Sequence, residues 1–213
     1  MAVMGCLATA ALALIALLLL PGLGGGFLLD DGANLKTLER IQAWGFWQGL
    51  PSVLASNPSG DLGRPIPMLT FALQHADWPD NPSAFKQVNL AIHLFNVLLV
   101  WLWARLLWDL HRPRPGPALS ALPVLLALAW GVHPLLLSTV FYVVQRMALM
   151  AATCMLAGLY GYSRGRLRWA EGDRRGLVWM ASALSLGMAL GGLSKENALL
   201  LPGLVAIVEF SFF

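Results

Sequence analysis

Residues 3–21 read VMGCLATAALALIALLLLP, and Phe27-Leu28-Leu29-Asp30-Asp31-Gly32 follows a few positions later. The first stretch is charge-free and long enough to cross a hydrocarbon core, which takes about 20 apolar residues as a helix. The second sets two adjacent carboxylates beside it, and charges this costly to desolvate stay out of lipid or serve where they stand. The run lacks a basic n-region and exceeds a signal-peptide core in length, so an uncleaved first span is expected, although Gly22 to Gly26 offers small residues for cleavage.

The same character extends along the 213 residues, which are 58% hydrophobic and 12% charged. Soluble domains average about 25% charged. The expected fold is therefore an all-α, polytopic membrane helix bundle. About six transmembrane helices are expected, over 3–21, 87–108, 118–133, 147–163, 177–193 and 197–213. The third contains Pro123, which membrane helices tolerate. The net charge of +3 is a topology signal and not a nucleic-acid signal, because no basic segment is interleaved with aromatics. Cys6 and Cys154 lie in apolar runs and read as small buried hydrophobes.

Arginines set the orientation. Arg105, Arg112 and Arg114 flank the loop after span two, and Arg164, Arg166, Arg168, Arg174 and Arg175 crowd the loop after span four. The positive-inside rule then puts the N-terminus in the cytoplasm and residues 29–86 outside. This outer loop is too long for a simple connector. Asn34 can cap an amphipathic helix to Trp47, with Leu35, Leu38, Ile41 and Trp44 at helical spacing. Asn57-Pro58-Ser59-Gly60-Asp61 is a turn cluster, and Pro67 to Gln74 suits a second short helix. Trp44, Phe46, Trp47 and Trp78 suit the membrane interface, so both helices are expected to lie on the outer leaflet in contact with membrane lipids.

With that topology the unusual polar residues gather on the outer side. They are Asp30 and Asp31, Arg64, Asn89, His93 and Asn96, His133, Gln145 and Arg146, and Lys195 with Glu196. Acids, imidazoles and cations on one face are what a site needs to pair a base with a phosphate leaving group. Each has a plainer role open to it. The acids could be solvated, Arg64 an ordinary loop cation, His93 an interhelical hydrogen-bonder and His133 a helix terminator. Arg146 and Lys195 could snorkel, and Glu196 could pair with Lys195. There is no Walker loop and no His-Glu-x-x-His helix. A rhomboid-like protease is set aside, because Gly192-Leu193-Ser194-Lys195 is not the nucleophile motif and no histidine follows it.

Several short motifs occur in a fixed order: Leu29-Asp30-Asp31, Gly63-Arg64-Pro65 with Leu69-Thr70-Phe71, and Val88 to Asn96. Trp130-Gly131-Val132-His133-Pro134, Tyr142-Val143-Val144-Gln145-Arg146 and Ser194-Lys195-Glu196-Asn197-Ala198 with Pro202 complete the set. The chain resembles the N-terminal half of GT-C-fold membrane glycosyltransferases, in particular bacterial relatives of the tetratricopeptide-containing protein O-mannosyltransferases, including pilin-glycosylating enzymes. The resemblance implies a polyprenyl-phosphate sugar donor, a protein Ser/Thr or glycan acceptor, inversion at the anomeric carbon and a non-cytoplasmic site. It makes Asp31 or Asp30 the base on the acceptor hydroxyl, with Asp31 placed first. It makes Arg64, Arg146 and Lys195 candidates for the lipid phosphate, with His93, His133 and Glu196 shaping the pocket. No cofactor is implied; an acidic pair can hold a divalent metal, but the likeness requires none. The resembled enzymes are longer, so 1–213 is expected to be one membrane domain of an incomplete module. High Leu, Ala, Gly and Arg usage suits a GC-rich bacterium, and with the resemblance this implies an inner membrane protein with a periplasmic active face. The alternative is a non-catalytic membrane module that binds polyprenyl lipid or a partner protein. A transporter fragment fits less well, because the ionisable residues trace no path across the bilayer.

Overall fold

The computed structural model describes residues 2–55, 63–111 and 116–213, which leaves the 57–61 turn cluster, Arg112 and Arg114 outside the described residues. Within them the chain is all α, with no strand. Helix α1 spans Ala2–Leu19 and runs on as a 3-10 turn, Leu20–Gly24. Four short helices follow: α2 Asp31–Leu35, α3 Glu39–Trp44, α4 Phe46–Ala55 and α5 Pro65–Ala72. The long α6 covers Pro82–His111. Then come α7 Pro117–Ser120, α8 Leu122–Gly131, α9 Pro134–Phe141 and α10 Arg146–Ala170. Helices α11 Arg175–Gly192 and α12 Leu201–Phe212 complete the chain.

Among the described residues three helical stretches are long and apolar enough to cross a membrane: Val3–Gly24, Pro82–His111 and Val143–Ala170. A fourth exists if α8 and α9, bent by 58° across a short break, count as one. The chain is an integral membrane protein of this type. The expected six spans need adjusting at three places. Span three ends at Gly131, because Pro134 lacks the N–H to continue α8 and its ring favours an extended residue before it. His133 is accordingly extended, at φ −64° and ψ 128°. Span five is α11, which is not among the helices long and apolar enough to cross, and span six opens as the 3-10 turn Glu196–Leu200 and leaves only the 12 residues of α12.

The segment between α1 and α6 has a core of its own. Leu35, Leu38 and Ile41 are buried with Val53, Met68, Phe71, Phe85 and Met147. Outside lipid, each such side chain contributes roughly 1.5–3 kcal/mol. The stripe expected to face the outer leaflet instead packs into the protein at Leu35, Leu38 and Ile41 and leaves Trp44 exposed, and the single 34–47 helix does not form. It breaks into α2, a 3-10 turn at Lys36–Leu38 and α3, and ends at Gly45, whose φ of +87° is glycine territory. Asn34 is not the cap; its Nδ2 donates to the Asp30 carbonyl from inside α2. The expected Pro67–Gln74 helix forms as α5. Trp44 and Trp47 stay exposed, whereas Trp78 is buried against Phe27.

Inside the bundle, water supplies no driving force between helices, so close approach and hydrogen bonds hold it. Helices α10 and α11 form the tightest pair. A Cβ on Gly165 would lie 2.8 Å from both the Gly176 carbonyl and the Met180 nitrogen, so the two backbones nearly touch. Helix α6 is tied to α10 by Asn96, whose Nδ2 donates to the Leu149 carbonyl at 3.0 Å and whose Oδ1 accepts from Thr153 at 2.6 Å. Cys6 is exposed on α1 and Cys154 half-buried, so neither is the fully buried hydrophobe expected.

Candidate functional site

The polar residues singled out from the sequence collect where α1 ends, α6 and α10 begin and α11 ends. They fall into a sealed layer and an open one.

Arg146 anchors the sealed layer. It is fully buried at the start of α10. Its Nε donates to Asn89 Oδ1 at 2.9 Å, Nη2 to the Phe85 carbonyl at 2.9 Å, and Nη1 to Thr70 Oγ1 at 3.2 Å. The guanidinium carbon lies 4.4 Å from the Phe71 ring centroid. Among the described residues no carboxylate pairs with it. Burying such a cation costs several kcal/mol. Three charge-assisted hydrogen bonds, at roughly 1.5–3 kcal/mol each, together with the aromatic face, offset that cost. Asn89 passes the tie onward, its Nδ2 facing the carbonyls of Val140, Tyr142 and Val143 at 3.2–3.4 Å. Arg146 is thus a keystone of α5, α6 and α10, closed to a substrate phosphate.

Asp31 belongs to the same layer. It is fully buried. Oδ2 accepts the Leu28 N–H at 2.8 Å, and Oδ1 accepts the Val144 N–H at 2.7 Å. Burial pushes its carboxyl above the ordinary carboxylate range, while the Leu28, Val144 and Val143 N–H groups and then the Lys86 ammonium pull it back. Lys86, also buried, donates to the carbonyls of Gly25 and Gly26 at 2.5 and 3.0 Å. The sequence flagged no role for this lysine, although a lone ammonium at the head of an apolar span is itself a sign that a partner is held.

Asp30 has the opposite character. It is exposed. Its backbone is pinned from both sides: its N–H donates to the Tyr142 hydroxyl at 2.9 Å, and its carbonyl accepts from Asn34 at 2.8 Å. Before it stands Leu29, 90% exposed with φ +35°, a left-handed conformation that costs a non-glycine residue energy. Such strain persists only where surrounding structure over-determines it. The result is an outward carboxylate on a fixed backbone.

Arg64, also left-handed at φ +48°, grips Glu196 with two bonds, Nε to Oε1 at 3.3 Å and Nη2 to Oε2 at 2.9 Å. Its Nη1 lies 3.3 Å from Met147 Sδ on α10. Lys195 stands beside this pair, half-buried, and its ammonium makes no hydrogen bond among the described residues. Burial, then the Arg64 cation, holds it below the usual lysine range. Arg64 and Lys195 outnumber Glu196, so this corner suits an anion.

The histidines separate. His93 is buried, its Nε2 donating to the Gly131 carbonyl at 2.8 Å with its ring stacked on Trp130. It fastens α6 to α8. His133 is exposed and caps α9 by accepting the Leu135 N–H. Neither approaches Asp30 through any hydrogen bond among the described residues. Those residues also hold no cluster of three His, Cys, Asp or Glu side chains suited to a metal.

The Arg64–Glu196 tie has a pH signature. The Arg64 guanidinium holds the Glu196 carboxyl below its usual value of 4.5. A depressed folded value means the contribution is present above 4.5 and lost as pH falls through the folded value. The melting-temperature difference between the native chain and Glu196→Gln is expected to be constant above pH 4.5 and to close below it. A difference that stays open at lower pH would mean the pair adds nothing through charge.

An all-α membrane bundle with an outward carboxylate and a cationic corner at one end is the class of protein that fold and site define. Over most of its length the chain is similar to part of curated proteins named protein O-mannosyl-transferases. The chain is 30% identical over 200 residues to human protein O-mannosyl-transferase TMTC4, which covers 87% of this chain and 26% of that protein. It is 28% identical over 201 residues to the mouse TMTC4 protein, 87% and 27% of the two chains. It is 24% identical over 182 residues to human protein O-mannosyl-transferase TMTC3, 85% and 18%. The chain thus spans about a quarter or less of the curated relatives it matches. No family model and no solved structure matches it.

Proposed function

We propose that this chain carries the sugar-transfer site of a membrane protein glycosyltransferase that draws its sugar from a lipid-phosphate carrier. The observation that carries the proposal is the outward Asp30 carboxylate, fixed through its own backbone at the bundle end that also holds Arg64 and Lys195. Asp30 takes the proton of an acceptor Ser or Thr hydroxyl. The hydroxyl oxygen bonds to the sugar's anomeric carbon as the bond from that carbon to the phosphate oxygen breaks. Attack from the face opposite the phosphate inverts the centre. The lipid phosphate leaves with the electron pair and is met by Lys195 and the Arg64 edge. The names of the similar proteins favour mannose as the sugar and a protein as the acceptor.

The donor's isoprenoid tail has apolar surface within reach. Val88, Ala91, Ile92, Phe95 and Met150 line a groove of about 400 Å³ between α6 and α10. It adjoins, at Thr153 and Cys154, a second of about 590 Å³ between α10 and α11. The arginines of the loop between α10 and α11 favour a cytoplasmic N-terminus and a site on the opposite face. High Leu, Ala, Gly and Arg usage favours a GC-rich bacterium, and a helical bundle there would sit in the inner membrane.

The test is transfer by the chain in lipid vesicles, with mannose supplied on polyprenyl phosphate or on a nucleotide and a Ser/Thr peptide as acceptor. Label is expected on the peptide from the lipid-linked donor alone. Binding of that donor with no transfer would favour the non-catalytic lipid-binding module. Lys195→Ala is expected to raise the donor KM about tenfold, equivalent to roughly 1.4 kcal/mol, with kcat little changed. An unchanged KM would remove Lys195 from the phosphate site.

A further inference from the structure

Tyr142 lies in the turn between α9 and α10, and its phenol reaches across to the 28–31 turn. The phenol oxygen accepts the Asp30 N–H at 2.9 Å. The turn that carries it is held from behind by Asn89, whose Nδ2 faces the Tyr142 carbonyl at 3.4 Å and the Val143 carbonyl at 3.2 Å. Asn89 in turn accepts from Arg146 at 2.9 Å. A buried guanidinium therefore fixes an amide, the amide fixes a turn, and the turn delivers one hydroxyl to the residue read as the base.

A phenol that accepts through a lone pair keeps its own O–H to give. The amide it accepts belongs to Asp30, so the nearest acid along the chain is the carboxylate of that same residue. Asp31, the other acid near it, has both oxygens committed to backbone N–H groups. Burial, together with the two carboxylates, raises the phenol above its usual range, so it keeps its proton at neutral pH.

We propose that Tyr142 is a positioning residue for Asp30, its hydroxyl fixing the Asp30 backbone and, through it, the direction in which the carboxylate meets the acceptor proton. The proposal rests on Asp30 being the base. It gives the Tyr142-to-Arg146 motif a function apart from phosphate binding: the arginine acts through Asn89 and Tyr142 on the opposite side of the reaction.

The test is Tyr142→Phe, which removes one oxygen and keeps the ring. Amide exchange over 27–31 is expected to speed up about tenfold, as for one lost hydrogen bond, while α6 and α10 keep their protection. In the same protein kcat is expected to fall about ten- to a hundredfold, with the donor KM within about twofold and the melting temperature unmoved. Unchanged exchange would overturn the contact. Faster exchange with full kcat would leave the phenol a structural fastener and overturn the positioning role. If Tyr142→Phe does not fold, 3-fluorotyrosine at 142 keeps the shape and changes only the strength of the phenol's bonds. A several-fold change in kcat is then expected, and none would overturn the proposal. The base assignment fails separately: full turnover in Asp30→Asn would sink it whatever Tyr142 does, whereas a dead Asp30→Asn beside a fully active Tyr142→Phe sinks only the positioning role.

Discussion

Asp30→Asn is expected to slow sugar transfer by roughly 10²–10⁴-fold, the usual worth of a general base, without changing the melting temperature. The two halves of this expectation come from different atoms of one residue. The bonds through which Asp30 holds the fold are made by its backbone, the N–H to Tyr142 and the carbonyl to Asn34, and asparagine keeps both. Only the proton-accepting oxygens are lost. Asp31→Asn divides the other way. It surrenders an oxygen that accepts a backbone N–H in a fully buried setting, so its effect is expected in stability, by roughly 1–3 kcal/mol. Initial rates and thermal unfolding of the two variants, measured side by side, check the split. Normal turnover in Asp30→Asn with a dead but well-folded Asp31→Asn would exchange their roles.

Arg146→Ala is expected to cost about 4–5 kcal/mol of stability, at the far end of what single substitutions do. Asn89 Oδ1 and the Phe85 carbonyl lose charged donors in a buried site, each at about 1–3 kcal/mol, and the Phe71 and Phe85 rings lose the cation between them. Arg146→Lys is expected to recover less than half. One ammonium on a flexible stem cannot serve three acceptors spread over α5 and α6, and its charge is as costly to bury. Thermal or denaturant unfolding in detergent measures both. A loss below about 1 kcal/mol for the alanine variant would mean that the three bonds are not holding α5, α6 and α10 together.

Much of the scaffold is legible in the amino-acid sequence, because long apolar stretches announce themselves by sum. Val3–Gly24, Pro82–His111 and Val143–Ala170 overlap the runs expected to span. The Leu35, Leu38 and Ile41 stripe is likewise visible as one apolar face, although it packs into the protein and not against the leaflet. What stays hidden depends on single backbone positions. The bend after Gly131 and the break at Gly45 each turn on one local conformation, while the surrounding hydropathy stays uniform. The two acids are equally hard to separate. They are neighbours of the same type, and what distinguishes them is the Val144 N–H that Asp31 receives from 113 residues away. The place of Lys86 signals that it holds a partner but not which one, because its partners are the carbonyls of Gly25 and Gly26, which carry no side-chain signature.

The fastening of the 28–31 turn to the start of α10 sets a mechanical frame of reference. Asp31 grips Val144, Asp30 rests on Tyr142, and Arg64 touches Met147, so acid and cations are both referred to the same short length of chain. If α10 tilts as bilayer thickness changes, the base and the anion corner ride with it as passengers on one vehicle. Lys86 widens the frame, because its bonds to the Gly25 and Gly26 carbonyls tie the chain ahead of the turn to the start of α6.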